Sequence, residues 1–296
     1  MRTEKEMFDL ILQTAINDDK IVAVTMFGSR ADKNAPKDIF SDYDICYVVD
    51  DIDSFVSDEK WLSRFGEFMF WGMPLETEGH RFYILQFTDG NRIDLNIYPK
   101  DLAHLCVKSS MSTVLLDKNN LFTKIDEASD KDFHIKKPTE LEFLKTCFTF
   151  WCTCPDVAKG LWRGQILYAL GKIEKTLRPD LMKMLDWYIG VNTDFSISTG
   201  KNYKYFDKYL SEDIWESLIS TYTKADIKSI WKSLFIMYEL FGKIAVSVAD
   251  SLSFKYNKSD EVNVLGYIKH IRSLPELGRN EIRRGETVSH DEIDWS

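Results

Sequence analysis

Residues 27–49 read FGSRADKNAPKDIFSDYDICYVV, with Asp42 and Asp44 one residue apart at the head of an apolar run. If that run is a strand, its alternation points both carboxylates to one face, roughly 6.5–7 Å apart along the backbone. Carboxylates so close repel each other unless a cation neutralises them. Paired hard oxygen ligands at a strand edge suit a divalent ion such as Mg²⁺. The plainer reading makes both of them solvated loop aspartates. Gly28-Ser29 upstream favours the metal reading, because two elements then coincide.

Working upstream, residues 21–27 (IVAVTMF) are β-branched and apolar, which predicts a buried strand. Before it, Met7, Leu10, Ile11 and Ala15 fall on one stripe of a helix over 3–16. Gly28-Ser29-Arg30 is expected to leave the strand and open a short helix. There the small Gly28 lets backbone N–H groups approach a phosphate, and the Ser29 hydroxyl adds a donor. Arg30 joins them as a nucleotide-contact candidate.

Downstream, residues 57–65 carry a helical pattern with Trp61, Leu62 and Phe65 inward, and Gly72, Pro74 and Gly79 suggest a loop over 68–80. Residues 81–87 and 92–98 flank Thr88-Asp89-Gly90-Asn91, a strong hairpin signal. In the second arm Ile93, Leu95 and Ile97 take one face, and Arg92, Asp94 and Asn96 take the other. A polar stripe on a central strand is costly against apolar groups, so it should line a cleft. Asp94 is thus a candidate third carboxylate, and pairing with Arg92 on a solvated face is the alternative. A short helix over 102–107 and a strand over 112–116 complete an α/β unit of about 135 residues.

The charged stretch 117–137 reads as a connector, which gives domains over 1–136 and 137–296. Beyond it the periodicity is helical throughout. The expected fold class is α+β: an N-terminal α/β domain with a mixed sheet, then a C-terminal all-helical bundle. Thr139-Glu140-Leu141-Glu142 forms a capping box at the start of a densely apolar helix. Pro155 is expected to break that helix, with Asp156 capping another to about residue 177 and Pro179-Asp180 opening the next. Lys159 and Arg163 lie four apart, a like-charge pair that an anion would relieve. Residues 196–204 (SISTGKNYK) interrupt the helices, basic enough in Lys201 and Lys204 to close over a polyphosphate. The tail beyond Pro275 is polar and carries Arg279, Arg283 and Arg284.

Composition narrows the function classes. The 296 residues are 44% apolar and 14% aromatic, enough for a substantial core. The net charge of −9 opposes nucleic acid as a partner and favours a cationic small molecule. Five cysteines without a C-x-x-C array read as reduced thiols, mostly buried. No signal peptide or membrane span is legible, so a soluble, cytoplasmic, monomeric protein is expected. Neither G-x-x-x-x-G-K-[ST] nor G-x-S-x-G occurs. Gly-Ser, D-x-D and a separate carboxylate strand together fit two-metal nucleotidyl transfer, in which positioning and charge neutralisation carry most of the rate.

Beyond these motifs, the chain resembles the aminoglycoside 6-adenylyltransferases of the nucleotidyltransferase superfamily. The likeness runs through roughly residues 1–255, in MRTEKEMFDLIL, the GSR…DYDI core, WLSRFG, RIDLNIYP, KKPTELEF, LRPDLMKMLDWYIG, GKNYKYFDKYLS and WKSLF. It implies a nucleotidyltransferase domain followed by a helical domain, with the active site between them. It also implies Mg²⁺ on Asp42 and Asp44, Asp94 as a third carboxylate that is a metal ligand or base, triphosphate at Ser29, and nucleotide contacts at Lys201 and Lys204, which Lys159 joins through its like-charge pairing with Arg163. Trp151 and Asp156 become candidates for holding the acceptor. The implied reaction moves AMP from ATP to a streptomycin-like hydroxyl, conferring resistance. Leu144-Lys145 and Phe148-Thr149 stand where the resemblance leads one to expect acidic residues, which leaves Glu76, Glu78 and Asp156 as acidic candidates. Transfer to another small molecule or a protein, or nucleotide binding without turnover, are the alternatives.

Overall fold

The computed structural model describes residues 1–32, 35–57, 59–77, 79–123, 125–275 and 284–285, with backbone alone at 59 and 73–77. Glu78, Arg279 and Arg283 and the side chain of Glu76 lie outside the described residues. The chain divides into two compact units, Met1–Asp132 and Phe133–Ser296. The first is α/β and the second largely helical, an α+β architecture.

Six strands form one sheet: β1 (Ile21–Phe27), β2 (Tyr43–Val49), β3 (Phe68–Thr77), β4 (His80–Phe87), β5 (Arg92–Pro99) and β6 (Ser112–Asp117). Their order is β3-β4-β5-β2-β1-β6. β2 and β5 run parallel and every other neighbouring pair is antiparallel, so the sheet is mixed. Apart from Asp44 near its start, β2 is apolar and buried, and it takes the interior, where both faces of a strand need cover. One face packs under α1 (Glu4–Ile16) through Met7, Ile11 and Ala15, with Trp61, Leu62 and Phe65 of a 3₁₀ segment beside them. The opposite face has a smaller cover. A 3₁₀ helix over Lys100–Val107 sets Ala103 and Cys106 on Ala23, Cys46 and Val48. The polar ends of β2 and β5 lie on this second face.

The second unit follows α2 (Ile52–Val56) of the first with α3 (Glu140–Trp162), α4 (Ile166–Lys172), α5 (Arg178–Asn192), α6 (Phe206–Tyr209), α7 (Glu212–Ile219), α8 (Ile227–Leu252) and α9 (Lys258–Ser273). Its core gathers Phe143, Phe150, Leu181, Leu185, Leu234 and Phe241, with Phe150 and Phe241 stacked at 3.8 Å. The capping box at Thr139 forms as expected: the Glu142 amide donates to the Thr139 hydroxyl, and the Thr139 amide donates to the Glu142 carboxylate. No helix among the described residues is long and apolar enough to cross a membrane.

Four expectations are corrected. Residues 68–77 form edge strand β3 rather than a loop; its pairing with β4 slips between Gly72 and Leu75, the kind of edge position that tolerates Gly and Pro. Pro155 does not end its helix. A proline inside a helix, with its lost hydrogen bond and ring clash, costs about 3 kcal/mol, and burying Cys154, Val157, Ala158 and Leu161 on the same helix offsets it. Nor does a new helix begin at Pro179. A π-helical turn over Ile173–Leu177 joins α4 to α5, widening the helix where the proline ring would press on the carbonyl four residues back. Finally, Cys46 and Cys106 are joined as a disulfide, since the alternation of β2 turns Cys46 toward the covering 3₁₀ helix. Cys147, Cys152 and Cys154 are free thiols, with Cys152 exposed.

Candidate active site

The site is built at the end of β1. Gly28 has a φ of +75°, its amide donates to the Met111 carbonyl at 3.0 Å, and the Ala31 amide donates back to the Gly28 carbonyl. Residues 28–31 form a turn and not the short helix expected, so this segment directs no helix dipole at the site. A Cβ at position 28 would overlap the Asp44 carboxylate, which ties the glycine to the aspartate across the sheet.

Strand register places the chemistry in one row. Ser112 of β6 pairs with Phe27 of β1, Phe27 with Asp44 of β2, and Asp44 with Asp94 of β5. Directly paired residues share a face, so Asp44 and Asp94 are neighbours on the face that the 3₁₀ helix only partly covers. Asp42 precedes β2 and its side chain is half-exposed.

Arg92, two residues before Asp94, shares that face. Its Nε donates to Asp94 Oδ1 at 2.6 Å and its Nη2 to Oδ2 at 3.0 Å, and Nε lies 3.8 Å from Asp42 Oδ2. The hydrogen bonds to Asp94 raise the guanidinium's already high pKa, and the charges of Asp94, Asp42 and Asp44 add to the effect. Among the described residues no three metal-binding side chains gather into a closed cation site. Instead a positive side chain stands among three carboxylates. A set of hard anionic oxygens that already holds a cation fits Mg²⁺ in its chemistry.

Arg30, expected to contact nucleotide, is held within the first unit. Its side chain is buried, stacks on the Tyr43 ring at 4.0 Å, and donates to the Ser41 and Asp42 carbonyls and to Glu4. It clamps the segment that leads into the aspartates. Ser112 was not singled out by the sequence. Its hydroxyl is buried without a hydrogen-bond partner and lines a cavity of about 550 Å³ with His104, Lys108, Ser110, Phe122 and Asp132. Only strand register reveals that position, since a lone serine in a β-run carries no signal of its own.

In the helical unit, Asp156 is bridged by Lys159 at 2.9 Å and Lys172 at 3.0 Å, and hydrogen bonds from the two lysines hold its carboxyl below the usual range. Lys159 and Asp156 therefore satisfy each other. Trp151 is buried among Phe150, Tyr238 and Phe241. Lys201 and Lys204 are exposed, on a segment that turns through positive φ at Gly200, Asn202 and Tyr203.

A mixed sheet pairs Asp44 with Asp94 on its central strands, with Asp42 just ahead of β2 and the Gly-Ser turn at the end of β1, and the chain that carries it is a nucleotidyltransferase. The chain belongs to the streptomycin adenylyltransferase family, which it matches over residues 1–271. It is 40% identical over 270 residues to an aminoglycoside 6-adenylyltransferase of Bacillus subtilis (strain 168), covering 88% of this chain and 95% of that protein. It is 38% identical over 269 residues to the protein of the same name from Campylobacter jejuni, covering 88% and 93%. The one from Staphylococcus aureus is 35% identical over 280 residues, covering 91% and 99%. A crystal structure of an aminoglycoside 6-adenyltransferase from Bacillus subtilis aligns with a TM-score of 0.47 at 35% identity, over 92% of this chain and 100% of that one.

Proposed function

We propose that this chain transfers AMP from ATP to a hydroxyl group of an aminoglycoside, with the triphosphate at the Gly28-Ser29 turn. The observation that carries the reading is the in-register pair Asp44–Asp94 beside that turn, on a sheet face that already holds a cation. Asp42, Asp44 and Asp94 would hold Mg²⁺, which supplies charge neutralisation at the phosphates and a more nucleophilic acceptor oxygen. The acceptor oxygen bonds to the α-phosphorus, the bond from that phosphorus to pyrophosphate breaks, and the hydroxyl proton is released. Gly28 permits backbone N–H groups to approach the phosphates, the Ser29 hydroxyl orients them, and Arg30 fixes the loop from which Asp42 projects. The reading rests on residues of the first unit, and in a susceptible host such a reaction would raise the tolerated drug concentration.

The test is to incubate the protein with ATP, Mg²⁺ and an aminoglycoside panel that includes streptomycin. Pyrophosphate release and a mass gain of one AMP on the drug are expected. Asp42→Asn and Asp94→Asn should each lower turnover by roughly 10³-fold while leaving the fold intact. Silence across the panel overturns the acceptor assignment. An AMP adduct on a different small molecule or a protein would redirect it, and ATP binding without any adduct would leave a nucleotide-binding protein.

A further inference from the structure

We propose that Arg92 is the resident counter-cation of this site, which neutralises the carboxylates before the metal–nucleotide complex arrives and surrenders Asp94 to it. The inference rests on the proposed metal role of the three aspartates.

Both Asp94 oxygens accept from the Arg92 fork, at 2.6 and 3.0 Å, and the same guanidinium reaches toward Asp42. A metal at Asp94 must therefore compete with Arg92 for the same oxygens. Position matters as much as distance. Arg92 and Asp94 stand two apart on β5, so their side chains share one face and the guanidinium cannot leave for the other side of the sheet. The pair is also open to exchange: the side chains of Arg92 and Asp94 keep 31% and 18% of their exposure. Partly exposed ion pairs are weak enough to trade partners.

A displaced guanidinium on a flexible stem needs a new anion. The phosphates that enter with the metal supply one, and a planar fork suits phosphate as well as carboxylate. Arg92 thus couples the two ligands. It should oppose the metal alone and favour the nucleotide in the presence of metal. Effects of opposite sign on two ligands are a signature that a merely structural ion pair would not give.

The test uses Mn²⁺ as a spectroscopic probe on the full chain, without nucleotide and then with a non-hydrolysable ATP analogue. Arg92→Gln is expected to bind Mn²⁺ alone about tenfold more tightly than the parent, and the analogue at saturating Mn²⁺ about tenfold less tightly. Its melting temperature should fall in chelator and recover in Mg²⁺. Should Arg92→Gln fold poorly, Arg92→Lys keeps the charge without the fork and should shift both affinities the same way by a smaller factor. Unchanged or weaker Mn²⁺ binding in both variants, with Asp94→Asn still abolishing it, overturns the inference and leaves the metal site standing. No Mn²⁺ binding by the parent even with the analogue overturns the metal site, and this inference with it.

Discussion

Glycine at position 28 is fixed by an aspartate on the next strand. Its positive φ excludes most side chains, and the Asp44 carboxylate fills the space a Cβ would need. Gly28→Ala is therefore expected to cost about 1–3 kcal/mol of stability and, by displacing Asp44, roughly 10²-fold in turnover. Thermal melting and pyrophosphate release measure the two separately. At this scale the meeting of Asp44 with Asp94 was legible, because alternation sets Asp94 on the polar face of β5; Asp42 lies ahead of β2, where alternation does not reach. Arg30 was not. Its partners are the Ser41 and Asp42 carbonyls, and backbone carbonyls leave no trace in composition or motif. Arg92 was half legible, as a neighbour of Asp94 whose reach toward Asp42 needed the sheet.

Among the elements, the continuous helix from α4 to α5 shows how tertiary contacts override a local breaker. Proline at 179 predicts a boundary; the π turn over Ile173–Leu177 absorbs it and turns Arg178 inward. Arg178 then ties two segments together. It donates to both Glu174 oxygens, to the Thr221 hydroxyl and to the Thr221 carbonyl, and stacks on the Tyr222 ring at 3.7 Å. Arg178→Met should destabilise the protein by about 2 kcal/mol, read as a lower urea midpoint, because Thr221 loses a charged donor inside the protein. Glu174 is half-exposed and regains water, which keeps the cost at that level. The signals that misled here, Gly72, Pro74, Pro155 and Pro179, are all local, and each yields to strand pairing or burial that a short window does not contain. Apolar periodicity proved sturdier: Trp61, Leu62 and Phe65 are buried, as the pattern over 57–65 required.

For the molecule as a whole, pH acts through groups that folding has moved away from water. Burial raises the Asp180 carboxyl to about 6, and one of its oxygens is buried without a hydrogen-bond partner. A carboxyl whose folded pKa is raised favours folding in its neutral form. That contribution is complete below the unfolded value near 4 and is lost as pH rises through 6. Asp180→Asn should accordingly melt higher than the parent at pH 8 and match it at pH 4, as followed by circular dichroism. The change of periodicity near residue 137 made the α/β-then-helical order legible, because alternating and helical patterns occupy separate stretches. The disulfide between Cys46 and Cys106 was invisible, as its partners meet only when the 3₁₀ helix lies on β2. The mixed sheet also has a kinetic meaning. Asp44 and Asp94 meet through the parallel pairing of β2 with β5, and β3 and β4 lie between those strands in the chain. Hairpins close early, whereas pairing between distant segments is slow. A refolding chain should recover its strand signal first and its ability to hold nucleotide last, in the phase that docks the β3–β4–β5 meander onto β2.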